Sequence, residues 1–198
     1  MGVLNVSLSY YQYVLGLTNL EDLNLSFTLV TEDGLRNLSG LRSLKSLNLD
    51  IRQITDSGLA ALTGLTGLTH LDLFGAQITD SGTKYLQYFK NLQSLDICGG
   101  GLTDDGIKNL KHLSSLTVLN LSQNLDLTDK TLEHLSGLTG LVSLNVSNSR
   151  VTNDGLQHLR PLKSLRSLSL ESCSVTAEEL KKLQLSALPN LVKFRPEL

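Results

Sequence analysis

The sequence contains no tryptophan, and aromatic residues make up only 5% of its 198 residues. Leucine supplies much of the apolar composition instead, with 48 copies. Protein interiors pack as densely as organic crystals, and an irregular interior is filled with side chains of mixed shape. Such heavy use of one apolar side chain therefore indicates a single packing arrangement that is repeated many times.

The sequence also has few cysteines and no long apolar run. Two cysteines do not make a disulfide framework, so nothing here requires an oxidising compartment. No segment approaches the run of about 18 apolar residues that a transmembrane helix needs, and residues 1–7 lack the basic segment of a signal peptide. We therefore expect a cytoplasmic or nuclear protein that does not bind membranes.

Neither sign of charge is in large excess. Seventeen lysines and arginines stand against nineteen aspartates and glutamates, which gives a net charge of −2. Proteins that bind nucleic acids neutralise phosphates with a basic surface, and this balance does not supply one. We expect no nucleic-acid partner.

One pattern recurs along the chain at almost constant spacing. The phrase Leu-x-x-Leu-x-Leu, with Ile97 or Val146 as its last residue in two copies, begins at Leu20, Leu44, Leu68, Leu92, Leu116, Leu141 and Leu165. A second phrase of the form Thr-Asp-x-Gly-Leu follows most copies, with variations, and begins at Thr31, Thr55, Thr79, Thr103 and Thr152. Self-similarity at a fixed period is the signature of a repeat architecture.

The two halves of each repeat have different periods. The last two leucines of each Leu-x-x-Leu-x-Leu phrase alternate, as in a strand with one buried face. The leucines from Leu59 to Leu68 recur every three residues, which predicts either a short α-helix of about two turns or a segment that is partly 3₁₀. Thr55 and its equivalents are candidate helix N-caps. The sequence predicts an α/β solenoid of parallel strands and short helices.

The whole chain, 1–198, is predicted to be a single domain. Residues 1–19 form an irregular N-terminal repeat, residues 20–190 form seven repeats of 24–26 residues, and residues 191–198 form a C-terminal cap strand. The first strand would leave an unpaired edge with apolar residues such as Leu4 and Tyr10. We therefore expect self-association through the N-terminal repeat.

The repeats resemble leucine-rich repeats. The Ile-Thr-Asp-x-Gly-Leu phrase is similar to the cysteine-containing, ribonuclease-inhibitor-like subfamily, and residues 59–197 most resemble the C-terminal part of plant F-box/leucine-rich-repeat proteins. The resemblance implies a horseshoe with strands on the concave side and helices on the convex side. The sequence departs from the subfamily at its namesake cysteine, since only Cys173 occupies that slot. The slot otherwise holds Thr28, Arg52, Ala76, Gly100, Asn124 and Ser149.

No catalytic constellation is present, and we expect neither an enzyme nor a cofactor. The run Gly99-Gly100-Gly101 lacks the Lys-Ser/Thr partner and the spacing of a nucleotide-binding loop, so it is interpreted as a turn. His134 and His158 occupy equivalent positions in adjacent repeats without the cysteine or acidic residues that complete a metal site. The function that this leaves is a non-catalytic protein interaction module. The resemblance implies an alternative, the substrate-recognition part of an F-box-type ubiquitin ligase.

Variable residues on the strands are the candidate binding site. Side chains that flank the buried leucines must point to the concave face, because neighbours on a strand alternate. Most are small and polar, and the exceptions cluster in the early repeats, where Phe27 accompanies the predicted partner-binding residues Asp50, Ile51, His70, Asp72, Phe74, Asp96 and Cys98. An apolar anchor with a charged rim is typical of protein interfaces and would suit a basic partner segment. The alternative is that these side chains are partly buried under neighbouring turns.

Overall fold

The leucine phrases form eight parallel strands that are paired in chain order. The computed structural model describes residues 16–28, 30–50 and 53–195. The strands are β1 Asp22–Asn24, β2 Ser46–Asn48, β3 His70–Asp72, β4 Ser94–Asp96, β5 Val118–Asn120, β6 Ser143–Asn145, β7 Ser167–Ser169 and β8 Lys193–Arg195. The predicted α/β solenoid is confirmed.

Each strand repeats the register of the one before it. Leu23 pairs with Leu47, Leu47 with Leu71, and the column continues to Leu168, which pairs with Phe194 of β8. Because equivalent residues stack directly, the leucines form continuous columns that are 0–2% exposed in β1–β7. The buried apolar residues from Leu23 to Leu191 belong to one hydrophobic cluster.

Short helical segments return the chain from one strand to the next. They are α1 Glu32–Arg36, α2 Asp56–Ala61, α3 Asp80–Thr83, α4 Asp104–Ile107, α5 Asp129–Leu135 and α6 Ala177–Ser186. The 3₁₀ segments are Asn37–Gly40, Lys84–Tyr88, Lys108–His112 and Asn153–Leu159. Leucines every three residues suit the three-residue turn of a 3₁₀ helix, so both predicted forms occur.

The Thr-Asp-x-Gly phrase ties each repeat to the next. The threonine is the N-cap, as predicted, and at α3 the Thr79 side chain accepts a hydrogen bond from the Ser81 amide. The aspartate then acts across repeats: Asp56 accepts hydrogen bonds from the Thr79 amide at 2.8 Å and from the Thr79 hydroxyl at 2.6 Å. The glycine makes room for this contact, because a Cβ on Gly82 would overlap the Asp56 carboxylate.

This inter-repeat ladder continues along the stack. Asp80 binds Thr103, Asp104 binds Thr128, and Asp129 binds Thr152 in the same two-bond pattern. In α5 a threonine, Thr131, replaces the glycine and donates a 2.6 Å hydrogen bond to Asp104. Parallel strands stack about 4.8 Å apart, whereas packed helices need about 8–10 Å. The stack therefore bends with its strands on the concave side.

Several sequence predictions lie outside the described residues. Ile51, most of the irregular N-terminal repeat and residues 196–198 of the cap strand belong to this group. None of the helices in the described ranges is long and apolar enough to span a membrane.

Candidate functional site

The concave face carries the outward-pointing side chains of β1–β8 and of the turns that follow them. His70 is exposed at the start of β3, and Phe74 follows that strand with 41% of its surface exposed. Asp50, Asp72 and Asp96 are half-buried on adjacent repeats. The structure therefore places His70, Asp72 and Asp96 on the neighbouring strands β3 and β4, and Asp50 just after β2, near Phe74.

Asp72 and Asp96 are direct neighbours in the register of β3 and β4. Each carboxylate uses one oxygen to cap its own turn: Asp72 accepts from the Phe74 amide at 2.9 Å, and Asp96 accepts from the Cys98 amide at 3.0 Å. The second oxygens accept hydrogen bonds from flanking amides, Asn48 on one side and Asn120 on the other, at 2.8 and 2.7 Å. The two carboxylates therefore stand side by side with their donors on the outside.

This arrangement places a partly buried negative charge, that of Asp72, beside other carboxylates on the concave face. Burial raises the pKa of Asp72, and the nearby charges of Asp96 and Asp50 raise it further, while the hydrogen bond from the Phe74 amide opposes the change. A cationic group placed between the two carboxylates would relieve the repulsion. The same turn role is filled by asparagine in other repeats, where Asn24 and Asn145 accept from the amides of Ser26 and Ser147.

The backbone at Phe74 is constrained by hydrogen bonds, although the side chain is partly exposed. The Phe74 amide is bound to Asp72, and the next residue, Gly75, adopts a left-handed conformation with φ of 69° and donates to the Cys98 carbonyl at 3.0 Å. A fixed backbone lowers the entropy that an exposed aromatic side chain loses on binding. Phe74 can therefore act as a preorganised apolar contact.

Cys98 differs from the expectation that it lies open on the concave face. It is 2% exposed, and its sulfur accepts a hydrogen bond from the Ser122 hydroxyl at 3.1 Å. Burial raises the pKa of the Cys98 thiol. The small side chains of Ser122 and Ser147 at the equivalent position are also nearly buried, whereas the larger Phe74 is partly exposed. Cys98 supports the floor of the face and is not available to a partner.

Phe27 is the most exposed aromatic side chain in the described residues. It is 92% exposed and has a φ of 57°, in the left-handed region that bulky residues rarely adopt. The equivalent turn position is held by Gly75, Gly99, Gln123, Asn148 and Ser172, all with positive φ. The sequence alone could have drawn attention to Phe27, because a phenylalanine stands there at a turn position that suits glycine or asparagine. Phe27 follows β1 and so extends the apolar side of the face beyond the predicted binding set.

The C-terminal end of the face carries basic side chains on β8, a strand that lies beyond the seven Leu-x-x-Leu-x-Leu phrases. Lys193 and Arg195 flank the inward Phe194 of β8, in register with Ser167 and Ser169. Arg195 is paired with Glu171 at 3.1 Å. Aligning Phe194 with the strand leucines would have placed Lys193 and Arg195 among the concave residues.

The described residues contain no group of three or more side chains suited to hold a metal ion. Gly99 and Gly101 have φ of 73° and 74° in the turn after β4, consistent with the turn interpretation of the glycine run. Both cysteines are free thiols. The arrangement of the concave side chains offers a surface for contact.

Comparisons with known proteins agree with this architecture. Two family profiles match, each described as a leucine-rich repeat, one over residues 90–151 and the other over residues 65–86. A search of curated proteins found no match.

Solved structures give a likeness over nearly the whole chain. Internalin C2 (inlC2) from Listeria monocytogenes is 25% identical, with a TM-score of 0.72, over 97% of this chain and 76% of that protein. The internalin inlF from the same organism is 23% identical, with a TM-score of 0.65, over 98% of this chain, which spans only 58% of that internalin. The register, the inter-repeat ladder and these likenesses agree that the chain is a leucine-rich-repeat solenoid.

Proposed function

We propose that the chain is a non-catalytic module that binds a protein partner on its concave face, centred on β2–β4. The observation that carries the proposal is the partly exposed ring of Phe74 on a face whose other side chains are mostly small and polar. Binding energy at interfaces concentrates in a few buried aromatic or arginine contacts that neighbouring residues shield from water. His70 and Asp50 are placed to act as such neighbours.

The acidic residues define the chemistry of the partner surface. Asp50, Asp72 and Asp96 lie on three consecutive repeats beside Phe74, and no ion pair engages them within the described ranges. A basic segment with an apolar side chain complements this surface. The charges would speed the encounter and select the partner more than they would raise affinity.

The resemblance to plant F-box proteins supports a narrower alternative, substrate recognition for a ubiquitin ligase. It rests on the Ile-Thr-Asp-x-Gly-Leu phrases and on Cys173 in the namesake slot, where the sulfur donates to the Val146 carbonyl at 3.4 Å. In that alternative the same concave face would hold the substrate. A cytoplasmic or nuclear location is part of the proposal, and capture of a Skp1-type adaptor by the full-length protein would distinguish the ligase from a simple binding module.

The test places a photo-crosslinking residue at position 74 and, in a second protein, at position 88. Tyr88 is the matched control because it is an aromatic residue, 49% exposed, on the helical side. A partner recovered from position 74 is then purified and titrated against Phe74→Ala and Tyr88→Ala. We expect Phe74→Ala to weaken binding by about 2 kcal/mol, the loss typical of a hot-spot residue, and Tyr88→Ala to leave affinity unchanged.

Stability measurements separate binding from folding. Because Phe74 is partly exposed, its replacement should leave the melting temperature nearly unchanged. A sharp fall in melting temperature with intact affinity would make Phe74 a structural residue, and crosslinking from position 88 alone would move the interface to the convex side. Either result overturns the proposal.

A further inference from the structure

The concave face has opposite charges at its two ends. At β2–β4, Asp50, Asp72 and Asp96 carry unpaired negative charge in the described part of the chain. Residues 117–122 and 142–147, which pass through β5 and β6, contain no charged side chain. At the other end the exposed Lys193 of β8 is positive, and the exposed Arg166 immediately precedes β7; within the described ranges neither is engaged in an ion pair.

The spacing of the two ends is fixed by the sheet. Four to five strand steps separate the Asp72 and Asp96 pair from Lys193 of β8, which at about 4.8 Å per step places the two charge groups roughly 20 Å apart. The surface between the two ends, at β5 and β6, carries no charged side chain. Its side chains also protrude little after each strand, because Ser122 and Ser147 are nearly buried there. A bound segment that crosses the strands therefore meets no charged side chain of β5 or β6 between the acidic end and the basic end of the face.

We propose that the face recognises a protein segment with two opposite charge blocks about 20 Å apart, and that it binds this segment in one direction. The basic block, with its apolar side chain, lies over β2–β4 beside Phe74, and the acidic block lies over β7–β8. This inference rests on the proposed function and adds a direction and a length to it. A helical segment reaches this spacing in about 13–16 residues, and an extended one in about six or seven.

Complementary potentials explain why direction is selected. A segment bound the other way would place its acidic block against Asp72 and Asp96, and like charges placed together at an interface cost several kcal/mol by general experience. The pair of aspartates would gain most from a partner cation, since the side-chain amides of Asn48 and Asn120 donate to them from the two outer sides and no ion pair within the described ranges lies between them. Recognition then needs both blocks, each at its own end.

The probe is a synthetic helical peptide with an acidic block at its N-terminus, a neutral spacer, and a basic block with one leucine at its C-terminus. This order also suits the helix dipole. A second peptide of the same composition has its charges intermixed along the helix. A nitroxide label is attached to the basic end of the first peptide in one sample and to its acidic end in another, and amide signals of the intact protein are recorded by NMR.

We expect the peptide with separate blocks to bind at least about fivefold more tightly than the intermixed peptide at low salt, because only its charges can face both ends of the surface. The label on the basic end should broaden signals of β2–β4, and the label on the acidic end should broaden signals of β7–β8. Equal binding of the two peptides, equal broadening at both ends, or no saturable binding would overturn the inference.

Neutralised variants identify the responsible residues. Asp72→Asn with Asp96→Asn removes the negative charge and keeps a carbonyl oxygen for each turn, as asparagine already provides at Asn24 and Asn145. Arg166→Gln with Lys193→Gln removes the basic end, and Asp33→Asn with Lys181→Gln is an exposed control pair away from the face. We expect either concave pair to weaken binding severalfold and the control pair to have no effect. If the concave pairs behave like the control, the inference is wrong, while the Phe74 and Tyr88 titration still decides the proposed function.

Discussion

Asp72 has two roles in one short turn, and the two roles oppose each other. Its carboxylate accepts a hydrogen bond from the Phe74 amide at 2.9 Å and so constrains the backbone that carries the partly exposed ring. Its charge, however, is partly buried beside Asp96 and Asp50, which raises its pKa. The repeat offers asparagine as an uncharged residue for the same turn, as at Asn120, which accepts from the Ser122 amide at 3.1 Å. The use of aspartate at β3 therefore lowers stability and places a negative charge on the concave face.

Replacement of Asp72 by asparagine tests this interpretation. Because the folded-state pKa is raised above the ordinary value of 3.8, the ionised side chain opposes folding above that pH, and the penalty grows as the pH rises through the folded-state pKa. We expect Asp72→Asn to raise the melting temperature at pH 7 and to have little effect at pH 3. Asp33→Asn, at an exposed position on α1, is the control. A fall in melting temperature at pH 7 would contradict the proposed repulsion.

The glycines of the Thr-Asp-x-Gly phrase are required for space. A Cβ at position 82 would overlap Asp56, and relief would require the carboxylate to leave both donors of Thr79. We expect Gly82→Ala to cost about 1–3 kcal/mol of unfolding free energy, the loss of one or two charged hydrogen bonds, although alanine favours helices. Gly137→Ala, where a Cβ meets nothing within 4 Å, should be neutral or stabilising. Equal stability of the two variants in urea would show that the carboxylate contact is not limiting.

At the scale of elements, the strands could be predicted and the ladder that joins the helical segments could not. Leu71 and Leu95 alternate with outward residues at a constant interval, so stacking them in register follows from the repeat alone. The hydrogen bonds from Thr79 to Asp56 join residues 23 positions apart. The recurrence of threonine and aspartate in successive repeats indicates that both residues have a role, but it does not show that they are in contact. Phe74 and Cys98 occupy equivalent positions in adjacent repeats, yet Phe74 is 41% exposed and Cys98 is 2% exposed, and the recurring pattern alone does not predict this difference.

The ladder makes the helical side of the solenoid sensitive to acid. Burial alone would raise the pKa of Asp104, but hydrogen bonds from Thr128 and Thr131 outweigh it and leave the pKa below its usual value. Stabilisation by Asp104 is therefore fully present above pH 3.8, the ordinary value, and is lost as the pH falls through the lower folded-state pKa. Hydrogen bonds that Ser57 and Thr55 donate to the Glu32 carboxylate also lower the pKa of Glu32 at the start of the ladder.

Asp104→Asn should reduce the free energy of unfolding at pH 7 by about 1.5–3 kcal/mol, the contribution expected of charged hydrogen bonds. The difference from the unmodified protein should shrink as the pH falls below 3.8. Urea titrations between neutral pH and pH 2.5 measure both effects, with Asp33→Asn as an exposed comparison. A difference that is the same at every pH would assign the loss to shape and not to charge.

At the scale of the whole molecule, one sheet and one apolar cluster join repeats that contact only their neighbours. Stability of such a stack depends on the repeats and on the interfaces between them. The central column of leucines crosses every interface, and Leu119 lies in it at β5 with 1% exposure, between Leu95 and Leu144. A cavity there weakens the contact of β5 with both of its neighbours.

Leu119→Ala should therefore lower the stability of the entire stack. We expect a loss of about 2–5 kcal/mol, as for other buried leucines cut to alanine, with one transition and an unchanged dependence on denaturant. Leu125→Ala is the matched control, because Leu125 is 65% exposed and its replacement should change stability by less than about 0.5 kcal/mol. If Leu119→Ala instead produces two transitions, or a shallower one, the interface at β5 separates two independently folding halves. In that case the uncharged surface at β5 and β6 would be a boundary between units, and the two charged ends of the concave face could not be held at a fixed distance.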